Sequence, residues 1–393
     1  MRNAIIRKKE AINYALLLPV FLLILVGFIA QYGAFHADPA VESVAPLLKK
    51  QFIWTILGIG AMFFTMFIPI KYLWKLTPFF YCSSLILMGL LVKFHDPVMA
   101  EVTGTKRWIR LGPISFQPSE FMKLGYILML AYIVTRRRQH SSYPSTLKED
   151  FRLLGELFLV SIPILGLMFY QKDFGTSLVF ISIFLGIVLV SGCSWKILTV
   201  GFSILSALGI SGILLVLTER GQKILSYLHF KPYQFNRIHA WLNPFEYADS
   251  ISFQQARGLT AIGSGEMLGK GLNDLQVYVP VRESDMIFTV IGEAYGFVGT
   301  CALILLFFYL IYQMLICTLN AKREFYAYIT TGVIMYFLFH ILENIGSNIG
   351  LLPLTGIPLP FISQGGTAYL ANFIGVGLVL SMYYQKEKTE ISG

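Results

Sequence analysis

Charged residues are scarce in this sequence, and their scarcity excludes an ordinary soluble domain. Asp, Glu, Lys and Arg together make up 13% of the 393 residues, whereas soluble domains carry about 25%. Hydrophobic residues make up 55% of the chain. They come in runs of about 17 to 25 residues, the length that a helix needs to cross the hydrocarbon of a bilayer. The composition therefore predicts a protein embedded in a membrane.

Several motifs of soluble chemistry are missing as well. The four cysteines lie in or beside apolar segments, with no CxxC pair and no histidine cluster, which argues against zinc or disulfides. No Asp-x-Asp triplet occurs, so a metal held as in soluble nucleotide-sugar transferases is not supported. The glycine-rich run at 263–271 is not a phosphate loop: Gly265 and Gly269 enclose three residues where that motif needs four, and Lys270 is followed by glycine instead of Ser or Thr. It is interpreted as an external loop whose backbone amides are free to meet a phosphate.

The net charge of +9 does not indicate nucleic-acid binding. The basic residues are spread over short loops between apolar runs and form no single stripe. Such a distribution is typical of membrane topology, in which cytoplasmic loops hold the excess of Lys and Arg. It predicts that both termini are cytoplasmic, with anchors at Arg136–Arg138 and Lys322–Arg323.

The predicted fold class is an all-α polytopic membrane protein with about ten transmembrane helices. Residues 1–393 are predicted to form a single transmembrane domain, with a long extracellular loop at about 218–284 between helices 7 and 8. The first apolar run is too long for a secretory signal and is kept as a span. The predicted spans are 11–31, 51–69, 73–93, 118–135, 153–170, 174–192, 195–217, 285–316, 325–343 and 366–384.

The last external segment, about 344–365, is apolar yet rich in Pro and Gly. Non-helical backbone at membrane depth is tolerated only where it is buried in protein or lines a cavity. The segment is therefore expected to be re-entrant, the alternative being an ordinary loop that dips into the head groups.

An earlier external segment carries Lys106, Arg107 and Trp108 in succession. Cations beside an indole are suited to an anionic head group, since Arg binds phosphate through two donors. The alternative is an interfacial tryptophan with snorkelling neighbours. Glu120 and Lys123 follow, three residues apart on one helical face, and are expected to pair. Such a pair near the membrane core indicates either function or structure.

Three further acidic residues lie where apolar runs begin or continue. Asp285 stands at the mouth of a predicted helix, where a carboxylate can serve as general base or where Ser284 or Asp285 can cap the helix. Asp173 has the same two interpretations, capping or pairing with an external cation. Glu293 is a buried charge for which the sequence shows no partner.

Taken together, these segments resemble the SEDS family (shape, elongation, division and sporulation), and within it the rod-shape branch more than the division branch. The resemblance runs through nearly the whole chain. It is carried by six motifs in order: GTKRWIRLGPISFQPSEFMKL, DFGTS, PYQFNRIHAWLNP, AIGSGEMLGKG, VPVRESDMIF and LLPLTGIPLPFISQGG.

The resemblance implies an inverting peptidoglycan glycosyltransferase that polymerises lipid II on the outer face of the bacterial cytoplasmic membrane during cell elongation. It implies release of undecaprenyl pyrophosphate and Asp285 as general base. A divalent cation, Mg²⁺ or Mn²⁺, bridging the pyrophosphate is compatible with it. Its implied partners are membrane lipids, the elongation machinery and a class B penicillin-binding protein. The implied substrate-binding set is Lys106, Arg107, Trp108, Glu120, Lys123, Asp173, Lys270, Arg282 and Ser363. Within it, Arg107, Trp108, Glu120 and Lys123 match a family motif as head-group and pyrophosphate contacts or supports.

The sequence departs from the family pattern at Val281, Glu283 and Gln364, where Glu, His and Tyr are common. These departures concern the flanks of Asp285 and leave that residue itself unaffected. A lipid II flippase is the alternative function, because a transporter would need the same external cations and intramembrane charges. A scaffold for a partner is the third hypothesis.

Overall fold

The structure is a computed structural model that describes residues 12–112, 114–139, 146–227, 238–319, 321 and 323–391. Lys322, one of the predicted basic anchors, lies outside the described residues, as do residue 113 and part of the 232–244 motif. The helices are α1 (Tyr14–His36), α2 (Val44–Met66), α3 (Ile70–Phe94), α4 (Pro97–Thr103), α5 (Pro118–Arg138), α6 (Leu147–Gln171), α7 (Phe174–Val190), α8 (Trp195–Leu217), α9 (Glu219–Tyr227), α10 (Phe253–Ser264), α11 (Ile287–Leu319), α12 (Glu324–Asn348) and α13 (Thr367–Ile391).

The prediction of an all-α polytopic membrane protein is confirmed. In the described part of the chain, eight helices are long and apolar enough to cross a membrane: α1, α2, α3, α6, α8, α11, α12 and α13. The other two predicted spans coincide with α7, which is shorter, and with α5, which carries several charges. The boundaries differ most at the end of α13, which runs to Ile391, and at the start of α2, which begins at Val44 and includes Lys49 and Lys50. Lysines can occupy a helix end in this way because their ammonium groups reach water.

Burial separates central helices from peripheral ones. In the most apolar window of α13, 72% of the residues are buried inside the protein, and 61% in α12, whereas none is buried in α8. Helix α5 is also central, and Lys123 and Tyr126 are among its buried side chains. Charged groups on a helix that is buried among other helices must find their partners within the protein. The buried polar side chains of α5 and α12 can therefore hold neighbouring residues of a site in place.

The segment between α12 and α13 has non-helical backbone packed into the protein. Phe361 and Ile362 are fully buried there, and Gln31 of α1 donates a 2.8 Å hydrogen bond to the Ile362 carbonyl. Gly27 of α1 permits this approach, because a Cβ at that position would lie 2.5 Å from the Phe361 carbonyl oxygen. The segment is therefore buried in protein, as expected for non-helical backbone at membrane depth. That it re-enters the membrane stays a prediction.

The segment before α5 forms a small hairpin. Strand β1 (Ile109–Leu111) pairs antiparallel with β2 (Ile114–Phe116), with Ile109 opposite Phe116. The Asp96 amide donates a 2.8 Å hydrogen bond to the carbonyl of Trp108. The hairpin therefore holds the residues just before it in a fixed place above the helices.

Candidate functional site

A cleft of about 750 Å³ opens between segments that connect the helices. Its walls come from the end of the loop before α11, the N-terminus of α7, the approach to β1 and the segment between α12 and α13. Four of the predicted site residues line it: Arg107, Trp108, Asp173 and Asp285. Tertiary packing thus brings together residues from three motifs that are far apart in the sequence.

The carboxyl group of Asp285 is poorly solvated in this cleft. Its Oδ1 is buried and has no hydrogen-bond partner among the described residues. Burial raises the pKa of Asp285 from 3.8 to about 6, although its own backbone amide and the charge of Arg107 act to lower it. A carboxylate with a free oxygen and a pKa near the working pH has the properties of a general base. Asp285 lies just before helix α11, which begins at Ile287.

The backbone before α11 is held at three consecutive carbonyls. The Glu283 carbonyl accepts from the Gln364 amide at 2.8 Å, and the Ser284 carbonyl accepts from the Ser363 hydroxyl at 2.6 Å. The Asp285 carbonyl accepts from the side-chain amides of Asn344 and Asn348. Ser363, predicted to bind substrate, is thus placed to support the Asp285 segment from behind.

Asp173 fulfils both of its predicted roles. Its Oδ1 accepts the amide of Thr176 at 3.2 Å and its Oδ2 accepts the Thr176 hydroxyl at 2.8 Å, so it caps α7. Its Oδ1 also lies 3.6 Å from Nη1 of Arg107, so the alternative interpretation, pairing with a cation, applies as well. Arg107 remains mostly buried, with its Nε unpartnered among the described residues. Its guanidinium therefore has donor capacity left for an anion in the cleft.

Lys106 is not among the residues that line the cleft. Its Nζ lies 5.3 Å from the centroid of the Tyr170 ring, and its amide donates to the Gln171 carbonyl at 3.0 Å. Trp108, by contrast, lines the cleft. Substrate binding by Lys106 stays a prediction.

Glu120 and Lys123 pair as the sequence predicts, with Nζ 2.8 Å from a carboxylate oxygen. The pair is buried behind the cleft, and Lys123 also contacts Nε2 of His340 at 3.2 Å and the Tyr336 ring at 4.9 Å. Nδ1 of His340 lies 3.2 Å from the Pro358 carbonyl. The charged pair is therefore connected through one histidine to the wall of the cleft, which is the position of a support.

Arg282 and Lys270 are the partners of Glu293 that the sequence did not show. Arg282 hydrogen-bonds to the fully buried Glu293 carboxylate, and the Nζ of Lys270 lies 3.5 Å from it. The backbone amides of Gln276 and Val277 donate to the same carboxylate at 2.8 and 3.1 Å. This cluster ties the external loop to α11 and leaves Arg282 and Lys270 behind the residues that line the cleft.

Sequence reasoning missed several residues at the site. Gln254 and Thr355 line the cleft, and the Thr355 hydroxyl donates to the buried carboxylate of Glu343. Asn344 and Asn348 hold the Asp285 backbone from α12. In the sequence, the two asparagines are distinguished only as polar residues four apart within an apolar run. This pattern also fits a helix face that lines a water-filled cavity.

The described residues contain no group of three or more His, Cys, Asp or Glu side chains placed to hold a metal ion. A divalent cation bridging a bound pyrophosphate would therefore need oxygens of the substrate as ligands.

Similarity to known proteins extends over nearly the whole chain. Residues 14–388 match the FtsW/RodA/SpoVE family of cell cycle proteins. The chain is 32% identical to the probable peptidoglycan glycosyltransferase FtsW of Taylorella equigenitalis, covering 86% of this chain and 88% of that one. It is 30% identical to stage V sporulation protein E of Bacillus subtilis, covering 95% and 98%.

Solved structures give the same result. A chain from a peptidoglycan synthase complex that coordinates polymerization and crosslinking superposes with a TM-score of 0.76 at 26% identity, over 95% of this chain and 98% of that one. The rod shape determining protein RodA of Thermus thermophilus superposes with a TM-score of 0.67 at 26% identity, over 95% and 97%. The chain therefore belongs to the SEDS family of FtsW, RodA and SpoVE.

Proposed function

We propose that this protein is a peptidoglycan glycosyltransferase, which polymerises lipid II on the outer face of the bacterial cytoplasmic membrane and releases undecaprenyl pyrophosphate. The observation that carries the proposal is the carboxyl group of Asp285, which lines the cleft and whose Oδ1 is unpartnered among the described residues. Relatives over most of this length are named as probable peptidoglycan glycosyltransferases. A role in cell elongation rests on the sequence resemblance to the rod-shape branch.

The reaction follows from the chemistry of a pyrophosphate donor. The acceptor sugar hydroxyl attacks the anomeric carbon, a new C–O bond forms, and the bond from that carbon to the pyrophosphate oxygen breaks. Asp285 takes the hydroxyl proton, and the bonding electrons leave with the pyrophosphate. A single displacement inverts the anomeric centre. One carboxylate is enough, since a pyrophosphate leaves without a general acid.

Arg107 is the cation best placed to stabilise the leaving group. A Cβ on Gly356 would lie 3.5 Å from Oδ2 of Asp285 and 3.9 Å from Nη2 of Arg107, so the base and the cation flank one glycine. A fixed cation near developing negative charge lowers the barrier without reorganisation. Trp108 and Asp173 complete the proposed contacts, and the buried residues of the predicted set act as supports.

The solved complex with a similar chain supports a class B penicillin-binding protein as partner, which would cross-link the new strands. The elongation machinery and membrane lipids are further proposed partners. The distribution of basic residues supports a topology with both termini in the cytoplasm.

The test is glycan polymerisation from purified lipid II in proteoliposomes, with the penicillin-binding protein present. We expect polymer from the wild type and a loss of at least about 100-fold in Asp285→Asn, within the range for a general base. The matched control is Asp274→Asn, since Asp274 is exposed in the same external loop. Wild-type polymerisation by Asp285→Asn would contradict the proposal, and slowed lipid II translocation in that variant would favour the flippase.

A further inference from the structure

A general base must be held in place while its carboxylate stays free to accept a proton. Oδ1 of Asp285 has no partner among the described residues, so this oxygen does not hold the side chain in position. The Gln254 side chain and the backbone amide of Asp285 contact the carboxyl group, and a further constraint comes through the main chain. Because small displacements of a reacting group cost a large part of the rate, the anchoring of this backbone bears directly on turnover.

Two asparagines on successive turns of α12 provide such an anchor. The Nδ2 atoms of Asn344 and Asn348 lie 2.8 and 2.9 Å from the same acceptor, the carbonyl oxygen of Asp285. Both side chains are fully buried. Residues four apart lie above one another on a helix, so the two amides approach one carbonyl from a single rigid surface.

The orientation of both amides follows from the acceptors around them. Asn344 Nδ2 also donates to the Ile357 carbonyl at 2.9 Å, and Asn348 Nδ2 donates to the Asn344 carbonyl at 2.8 Å. Every partner is a carbonyl oxygen, which requires the NH₂ group on that side. The amide oxygens of both residues are left buried without a partner among the described residues. Leaving buried polar atoms unpaired is costly, so this arrangement gives up hydrogen bonds in order to aim both donors at the Asp285 segment.

The same helix contacts the opposite wall of the cleft. Glu343 accepts from the Thr355 hydroxyl, and Nδ1 of His340 contacts the Pro358 carbonyl. Together with Asn344, these residues attach the segment between α12 and α13 to the helix that holds Asp285. Helix α12 therefore sets the position of both walls from one rigid element.

We propose that Asn344 and Asn348 are positioning residues for the general base, acting through the main-chain carbonyl of Asp285. The proposal rests on the proposed function, in which Asp285 accepts the proton. The two asparagines touch no reacting atom. Their loss is expected to lower the rate of the chemical step while lipid II binding persists.

Asn348 gives the sharper test, because within the described residues its amide hydrogen-bonds only to the carbonyls of Asp285 and of Asn344 in its own helix. Asn348→Leu keeps a similar volume and removes the donor. We expect kcat for polymerisation to fall about 10- to 100-fold, the range for a small misplacement, with KM for lipid II changed less than about twofold, as for an interaction made only in the transition state. Asn348→Ser is the second variant, because its hydroxyl can bond the Asn344 carbonyl within the helix but is too short to replace the amide.

The matched control is Ser347→Ala, which removes a buried hydroxyl bonded to a carbonyl of α12. A kcat for both Asn348 variants equal to that of Ser347→Ala would overturn the proposal. So would a parallel loss of lipid II affinity and thermal midpoint, which is the result of general destabilisation. Asp285→Asn is assayed alongside: if it stays active, the assignment of the base fails, whereas an inactive Asp285→Asn beside fully active Asn348 variants overturns the positioning role alone.

Discussion

Nη1 of Arg107 lies 3.6 Å from Oδ1 of Asp173, which joins the segment before the external hairpin to the N-terminus of α7. The same guanidinium lowers the pKa of Asp285 across the cleft. One cation therefore serves two carboxylates that come from different motifs. The charge balance of the cleft depends on this arginine, and several measurable properties follow from it.

The pH dependence of polymerisation should report the protonation of Asp285. A base acts when it is deprotonated, and burial raises the pKa of Asp285 to about 6. Activity is therefore expected to be present above that value and to be lost as the pH falls through about 6. The measurement is kcat/KM for lipid II from pH 4 to 8. An acidic limb of this pH profile centred near the ordinary pKa of aspartate would contradict the assignment.

Removal of the Arg107 charge should move that limb to higher pH. Arg107 lowers the pKa of Asp285, so in Arg107→Gln the carboxylate loses a stabilising cation and its pKa rises further. The control is Arg110→Gln, whose mostly exposed side chain lies 3.9 Å from Asp96 instead. A limb that moves down, or moves equally in both variants, would show that Arg107 does not act on Asp285.

The cap that Asp173 provides can be separated from its charge. Asp173→Asn keeps an oxygen for the Thr176 amide, whereas Asp173→Ala removes the cap of α7. We expect Asp173→Ala to be about 1 kcal/mol less stable than Asp173→Asn. Thermal unfolding in detergent tests this difference. Equal stability of the two variants would mean that the cap contributes nothing.

The Thr355 hydroxyl is expected to stabilise the cleft wall through Glu343. Thr355→Val keeps the shape but removes the hydroxyl that donates to the buried Glu343 carboxylate. The expected loss of stability is about 1–3 kcal/mol. Thr355→Ser retains the hydroxyl and serves as the control. If the valine variant is as stable as the serine variant, the hydrogen bond is not the stabilising contact.

Arg282 and Lys270, the two cations that pair with Glu293, should contribute unequally to the stability of the protein. Arg282 is buried, and Arg282→Met would leave the fully buried Glu293 carboxylate poorly compensated, at a cost of about 3 kcal/mol or more. Lys270 is a quarter exposed, so Lys270→Met should cost less than about 1 kcal/mol. Thermal midpoints of the purified variants decide between these outcomes. Equal losses would mean that burial does not distinguish the two pairs.

Local patterns accounted for the parts of the molecule that depend on local interactions. Apolar runs predicted the helices, because crossing a bilayer requires about twenty apolar residues in sequence. The pairing of Glu120 with Lys123 and the capping by Asp173 were also predictable, since both partners lie within one helical turn. The ordered motifs indicated the family and brought attention to Asp285.

Contacts between distant segments were decided by the tertiary structure alone. Nothing local links Glu293 to Arg282, or Ser363 to the Ser284 carbonyl, and nothing in the sequence indicates that Asn348 donates to Asp285. These contacts form because each buried polar group needs a partner, and only the packing of α11, α12 and the segment before α13 brings the partners together. The sequence by itself thus determined the spans and the candidate base, whereas the packed helices decided which residues face the cleft and which hold its walls.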